Sequence, residues 1–451
     1  VVSELANLPD LAQAAARLLT EAQNSQLSTK PQLFQSRLAP CDISNFLLAQ
    51  PCQPLFYFFH RNGEEEALAL GYAQSWHLED ARDTQTTLRA IETFLNSSSS
   101  PLRLYGGLAF GARPALAAEW EPFGRLHFFL PRWEIRRQDK LYYLRLVADH
   151  GFDATQAYNC LKPLLTTLSA PSPRRDFKVK RRWSLPDYEA WHAIIDQALS
   201  DITAQRYEKV VLARRVTYEL DIPPIPAWLF SAIDLPSAPG RYVLYFQPTA
   251  GTAFLSLTPE RLYQRKQKYF QSEALAGTRP RGRNSTEDER LAQELLATDK
   301  ERREHAVVGR EIVSRLVDIT ERLEPQAVPE IIKLPHVQHL RIRIEGQLKE
   351  EVSDKDLLAA LHPTPAVGGF PRRAALAAIQ RWEPFSRGWY AAPMGWLERD
   401  AAEFTVAIRS LLVSENRLHL YAGAGIVAGS QPQKEWREIE SKLKNFTVLL
   451  D

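Results

Sequence analysis

The stretch RLHLYAGAGIVAGSQPQKEWREIESKLKNFTVLL, residues 417 to 450, admits two opposed readings, and the choice between them sets the fold. Its glycines in GAGIVAG (423 to 429) imitate a dinucleotide-binding turn. That fold needs a strand, a helix and a second strand, with an acidic residue ~20 positions on. Too little chain follows for that. RLHLYAGAGIV (417 to 427) reads instead as a strand whose glycines let backbone N–H groups approach a ligand, and EWREIESKLKNFTVLL reads as a terminal helix. That helix places Glu435 and Glu438 one turn apart, with Lys442 a further turn along the same face. Adjacent glutamates repel, so the face is either solvated or holds a cation or an anionic ligand.

Outward from that strand, VVLARRVTYEL (210 to 220), RYVLYFQP (241 to 248), FLSLTPERLYQRK (254 to 266) and FTVAIRSLLV (404 to 413) also have strand character. They alternate with helical stretches, YEAWHAIIDQALSDI and DERLAQELLATDKERREHAVVGREIVSRL. Earlier in the chain, PLFYFFH (54 to 60), YGGLAFG (105 to 111), RLHFFLP (125 to 131) and KLYYLRLVA (140 to 148) read as aromatic strands punctuated by Gly or Pro. The expected class is mixed α/β (α+β), with large, mostly antiparallel sheets flanked by helices. Between the two halves, SAPSPRRDFKVKRRWSLP (169 to 186) loses the apolar period. The expected division is an N-terminal aromatic-rich part, 1–170, a basic linker, 171–186, and a catalytic part, 187–451. RRDFKVKRR, whose Arg and Lys interleave with Phe177 and lie next to Trp183, could serve as a nucleic-acid patch, but charge totals favour a solvated linker.

Those totals are 56 Lys plus Arg against 54 Asp plus Glu, so no whole-molecule field points to nucleic acid or membrane. At 451 residues and 45% hydrophobic content the chain can bury a large core. Cys41, Cys52 and Cys160 form no close-spaced metal pattern, and an odd count fits no complete disulfide framework. With no apolar run of about 18 residues and no basic-then-apolar signal region, a cytoplasmic location is expected.

TDKERREHAVVGREIVSRL places Glu301 and Glu304 three apart on one helix face, repeating the pattern of Glu435 and Glu438. Two such pairs could build an all-oxygen site suited to Mg²⁺ rather than zinc. A solvated stripe with intrahelical ion pairs is the alternative.

Eight stretches, YEKVVLARR (207 to 215), SLTPERL (256 to 262), EALAGTRPR (273 to 281), DKERREH (299 to 305), LHPTPAVGGFPR (361 to 372), FTVAIR (404 to 409), YAGAGIV (421 to 427) and EWREIESK (435 to 442), occur in an order that resembles the chorismate-utilising enzymes. The resemblance is strongest to the isochorismate synthases of the menaquinone pathway, and extends loosely to YGGLAF and the FLP strand end. It implies the fold of anthranilate synthase component I and the addition of water at C2 of chorismate with loss of the 4-hydroxyl. It implies Lys209 as general base and Glu260 as general acid. By the same resemblance Glu304 and Glu438 hold Mg²⁺, supported by Glu301 and Glu435. Arg409 anchors the enolpyruvyl carboxylate, with Gly425 and Tyr390 assisting. Lys442, His339, Thr278 and Ala366 complete the implied substrate site.

Three positions discriminate among the family's reactions. Aminating members carry Gln where Lys209 stands, and some carry a nucleophilic Lys where Ala276 stands. Water is therefore the expected nucleophile, and no amidotransferase partner is implied. Salicylate synthases keep the Lys but typically carry Thr in place of Ala366. The alternatives are a salicylate synthase and an inactive chorismate-binding regulator.

Overall fold

Strands buried on both faces carry near-continuous apolar runs rather than a clean alternation, and Leu55–Phe59 and Tyr242–Thr249 are of this kind. The computed structural model describes residues 10–49, 52–80, 83–111, 116–166, 177–231, 240–333, 337–447 and 450. Within these, twenty strands join in one hydrogen-bonded system that runs as two long antiparallel series. The first passes from Val179–Leu185 through Lys209–Leu220, Arg417–Ile426, Ser410–Ser414, Thr252–Thr258, Tyr242–Thr249, Leu55–Phe59 and Glu65–Leu78 to Leu126–Gln138. The second leaves Leu126–Gln138 through Arg103–Leu108, Pro393–Glu398, Ala401–Val406, Arg261–Lys266 and Tyr269–Pro280 to Val337–Leu348. The mixed, antiparallel α+β class expected from the sequence is the one observed.

The period of two sorts each strand's side chains between two cores. Leu55 and Tyr57 face a core shared with the helices Leu11–Asn24, Tyr188–Thr203 and Pro432–Thr447. Phe56 and Phe58 face a second core, where Phe246 and Phe254 of the first series meet Leu262, Met394 and Phe404 of the second. The two series therefore pack face to face over an aromatic layer. Strands from the first 170 residues belong to both series: Leu55–Phe59 pairs with Tyr242–Thr249, and Arg103–Leu108 pairs with Pro393–Glu398.

Several local expectations are corrected. FLSLTPERLYQRK is two strands, Thr252–Thr258 and Arg261–Lys266, and FTVAIRSLLV spans the end of Ala401–Val406 and most of Ser410–Ser414. In both cases the chain crosses from one series to the other, which apolar periodicity alone does not reveal. The long helical stretch breaks at Thr298, whose backbone is extended and whose hydroxyl donates to the Glu294 carbonyl at 2.6 Å. Of the basic segment, 171–176 lie outside the described residues and Val179–Leu185 is a strand paired with Lys209–Leu220. Cys52 and Cys160 are joined as a disulfide 108 residues apart, leaving Cys41 free, so the odd count conceals one pair that no local spacing announces. No helix among the described residues is long and apolar enough to cross a membrane.

Candidate active site

The two crossings between series lie side by side and build a cavity. Pro259 ends one strand because it lacks an N–H for the ladder. Glu260 follows it, its N–H bound to the Thr258 hydroxyl at 3.1 Å and its carbonyl accepting from the Val406 N–H at 3.1 Å. At the other crossing, the Ile408 carbonyl accepts from the Ser256 hydroxyl at 2.8 Å and the Arg409 carbonyl from the Leu257 N–H at 3.1 Å. Arg409 holds φ at +50°, a left-handed conformation that costs a non-glycine residue about 1–2 kcal/mol. Strain of this kind collects at functional sites.

Glu260, His339, Ala366, Tyr390, Arg409, Gly425, Glu438 and Lys442 line the one cavity, together with Ala276 and Gly277. Lys209 is not among the lining residues; it is fully buried at the start of Lys209–Leu220, and its charge reaches Glu260. Gly369 makes room there, since a Cβ on it would lie 2.3 Å from the Lys209 carbonyl oxygen. Glu435, 1% exposed, lies inside the terminal helix. The side chains of Glu301, Glu304 and Thr278 lie outside the described residues, although the backbone of Thr278 pairs with His339.

Electrostatics separate the roles of these groups. Burial, reinforced by the negative charge of Glu273, pushes the Glu260 carboxyl up to about 8, against the opposing pull of Lys209, the Thr364 hydroxyl and Arg409. Burial and the neighbouring Arg409 charge push His339 down to about 3, so it is a neutral imidazole. His339 donates from Nδ1 to the Gly277 carbonyl at 3.1 Å and accepts at Nε2 from Arg409 Nη2 at 2.8 Å. This assigned tautomer orients the guanidinium. Burial, with Arg241 nearby, lowers Arg409 to about 10, leaving it charged at neutral pH.

Lys442 Nζ donates to the Gly423 carbonyl at 2.8 Å and pairs with Glu438 at 2.8 Å. Gly423 is constrained as well, because a Cβ there would lie 2.9 Å from the Tyr390 hydroxyl. Sequence reasoning missed Thr364, although it lies inside the quoted LHPTPAVGG, and it missed Glu273 in EALAGTRPR. Arg61 and Arg241 stand outside the eight stretches, with no local signal.

The donor set on the terminal helix suits a hard cation: Glu435 and Glu438 offer oxygen only, and Glu438 reaches the cavity. The second acidic helix, Asp299–Val317, docks on Tyr269–Pro280 near the cavity, where a His305 Nε2 to Ala274 carbonyl contact measures 3.2 Å. Among the described residues no three His, Cys, Asp or Glu side chains gather as a metal site.

One cavity thus brings together a buried carboxyl pushed up to about 8, the Arg409 and Lys442 cations and, close behind Glu260, the buried Lys209, a set of groups of the kind that serves acid–base work on small anions. The chain belongs to the family of chorismate binding enzymes, whose model matches residues 16–451. It is 34% identical over 415 residues to isochorismate synthase MenF of Escherichia coli (strain K12), covering 91% of this chain and 90% of that protein. It is 37% identical over 379 residues to isochorismate synthase 2, chloroplastic, of Arabidopsis thaliana, covering 80% of this chain. The match spans 66% of that plant protein, slightly under two thirds. The solved structure of the menaquinone-specific isochorismate synthase of Escherichia coli superposes with a TM-score of 0.84 at 31% identity, over 98% of this chain and all of that one.

Proposed function

We propose that this protein is an isochorismate synthase of the menaquinone type, acting in the cytoplasm on chorismate without an amidotransferase subunit. The observation that carries the reading is the buried Glu260 carboxyl, held near 8, with the buried Lys209 side chain close enough to act on it. Glu260 enters the reaction protonated and gives its proton to the departing 4-hydroxyl. Lys209, in its neutral form, takes a proton from the water that adds at C2, so one water enters, one leaves and the ring double bonds shift. Arg409, oriented by His339, is placed to hold a carboxylate with a planar fork. Gly425 offers backbone, Tyr390 a hydroxyl and Lys442 a second cation. Thr278 and Ala366 complete the substrate wall.

Glu438 and Glu304, with Glu435 and Glu301 in support, would hold Mg²⁺, which when bound offsets the charge of the ring carboxylate and the repulsion among the glutamates. Ala276 removes the amine nucleophile of some aminating relatives, and Ala366 favours stopping at isochorismate. We retain the three-part division of the chain, 1–170, 171–186 and 187–451, as a proposal about its sequence organisation.

The test is an assay of the purified protein with chorismate and Mg²⁺, coupled to an isochorismate-consuming lyase and run beside direct pyruvate detection without it. Product in the coupled assay alone is expected. Stoichiometric pyruvate without the lyase would make the protein a salicylate synthase, and chorismate binding without either product would make it a binding protein.

A further inference from the structure

We propose that the buried ion pair between Arg61 and Glu273 is the positioning device for Glu260, gripping the backbone on both sides of it and fixing the charge beside it. The inference rests on Glu260 being the acid of the reaction proposed above. Arg61 Nη1 and Nη2 donate to the two Glu273 carboxylate oxygens at 2.7 and 2.9 Å. The same Nη1 donates to the Pro259 carbonyl at 3.0 Å, and Glu273 Oε1 accepts the Arg261 backbone N–H at 2.8 Å. The residues before and after Glu260 are therefore tied to opposite halves of one bidentate pair. That geometry fixes orientation as well as distance.

Burial opposes ionisation of Glu273, but Arg61 and Arg261 hold it below the usual carboxylate range. Arg341 adds a third cation at 3.7 Å. Glu273 therefore presents a permanent negative charge to Glu260. Lys209, Arg409 and the Thr364 hydroxyl face Glu260 with the opposite influence, and Tyr390 stands beside it. Neither Arg61 nor Glu273 lines the cavity, so the pair acts through Glu260 rather than on the substrate. Arg61 immediately follows Leu55–Phe59 and His60, which gives the first part of the chain a task in the chemistry.

The infrared band of the protonated Glu260 carboxyl, identified by its loss in Glu260→Gln, reports the state of that group directly. Its titration midpoint should fall by about one pH unit in Glu273→Gln, because removing a neighbouring anion eases ionisation. In Arg61→Gln, where the remaining anion is less compensated, the midpoint should rise. Glu273→Asp keeps the charge and should leave the midpoint in place. Arg61→Gln should also lower kcat about tenfold or more, with KM within about twofold, as misplacement of a catalytic group does. A midpoint that stays put in either charge-removing variant, in folded protein, overturns the proposal, and one folded variant suffices. If no band distinguishes the wild type from Glu260→Gln, the assignment of Glu260 as the protonated acid fails first and the proposal falls with it.

Discussion

The raised carboxyl of Glu260 is maintained at the expense of the fold. With its carboxyl at about 8 against an ordinary 4.5, Glu260 contributes its full stability below 4.5 and loses it as the pH rises toward 8, because the unfolded chain releases the proton first. Glu260→Gln should therefore be more stable than the wild type at pH 8, by up to a few kcal/mol and with a difference that shrinks toward pH 4.5. Urea unfolding at the two pH values measures this, and an equal difference at both would show that Glu260 is not held protonated. The same variant should lose at least ~100-fold in turnover while still binding chorismate. Lys209→Gln should behave alike, since Gln can hydrogen-bond but cannot act as a base. Undiminished isochorismate formation by folded Lys209→Gln would assign the base to another group. Arg409→Lys should sharply lower kcat/KM, because an ammonium cannot reproduce the fork that His339 orients. An unchanged kcat/KM would place the carboxylate anchor elsewhere.

At the scale of elements, the terminal helix Pro432–Thr447 is fixed by more than its apolar face of Ile439, Leu443 and Phe446. The fully buried Arg214 side chain stacks over Trp436 at 3.1 Å and donates to Glu440 at 2.8 Å. Trp436 and Glu440 flank Glu438 in sequence, so Arg214→Ala should loosen the turn that presents the carboxylates and weaken Mg²⁺ binding by about tenfold. Calorimetric titration with Mg²⁺ checks this, and unchanged affinity would show that apolar packing alone sets the helix. Glu438→Ala should abolish both Mg²⁺ binding and turnover; full activity in chelator would remove the metal assignment. The i, i+3 spacing of these glutamates was legible in the sequence because helical period is local. The breaks at Pro259–Glu260 and Ala407–Arg409 were not, because apolar residues continue through them and the change is one of pairing partner.

Across the whole molecule, four histidines among the described residues are kept neutral by burial. His127, His339, His362 and His419 are each pushed down to about 3. Their stability contribution is complete above the unfolded value of 6.5 and is lost as the pH falls from there toward 3. Each should remove about 1.4 kcal/mol per pH unit over that window. The urea midpoint at pH 5 should therefore lie well below that at pH 7, and equal midpoints would show that these rings are protonated in the fold.

The sequence by itself determined the types of most elements, the choice of an antiparallel over a dinucleotide-binding reading for 417–450, and the ordered stretches that place the chain among chorismate binding enzymes. Period, turn chemistry and glutamate spacing are properties of neighbouring residues. Tertiary structure alone decided that Glu260 and Arg409 stand at adjacent crossings between two strand series, and that buried Lys209 stands close enough to Glu260 to influence its charge. It alone brought Arg61 across 212 residues to Glu273. Burial and charge proximity depend on which distant strands pair, and no local period encodes that choice.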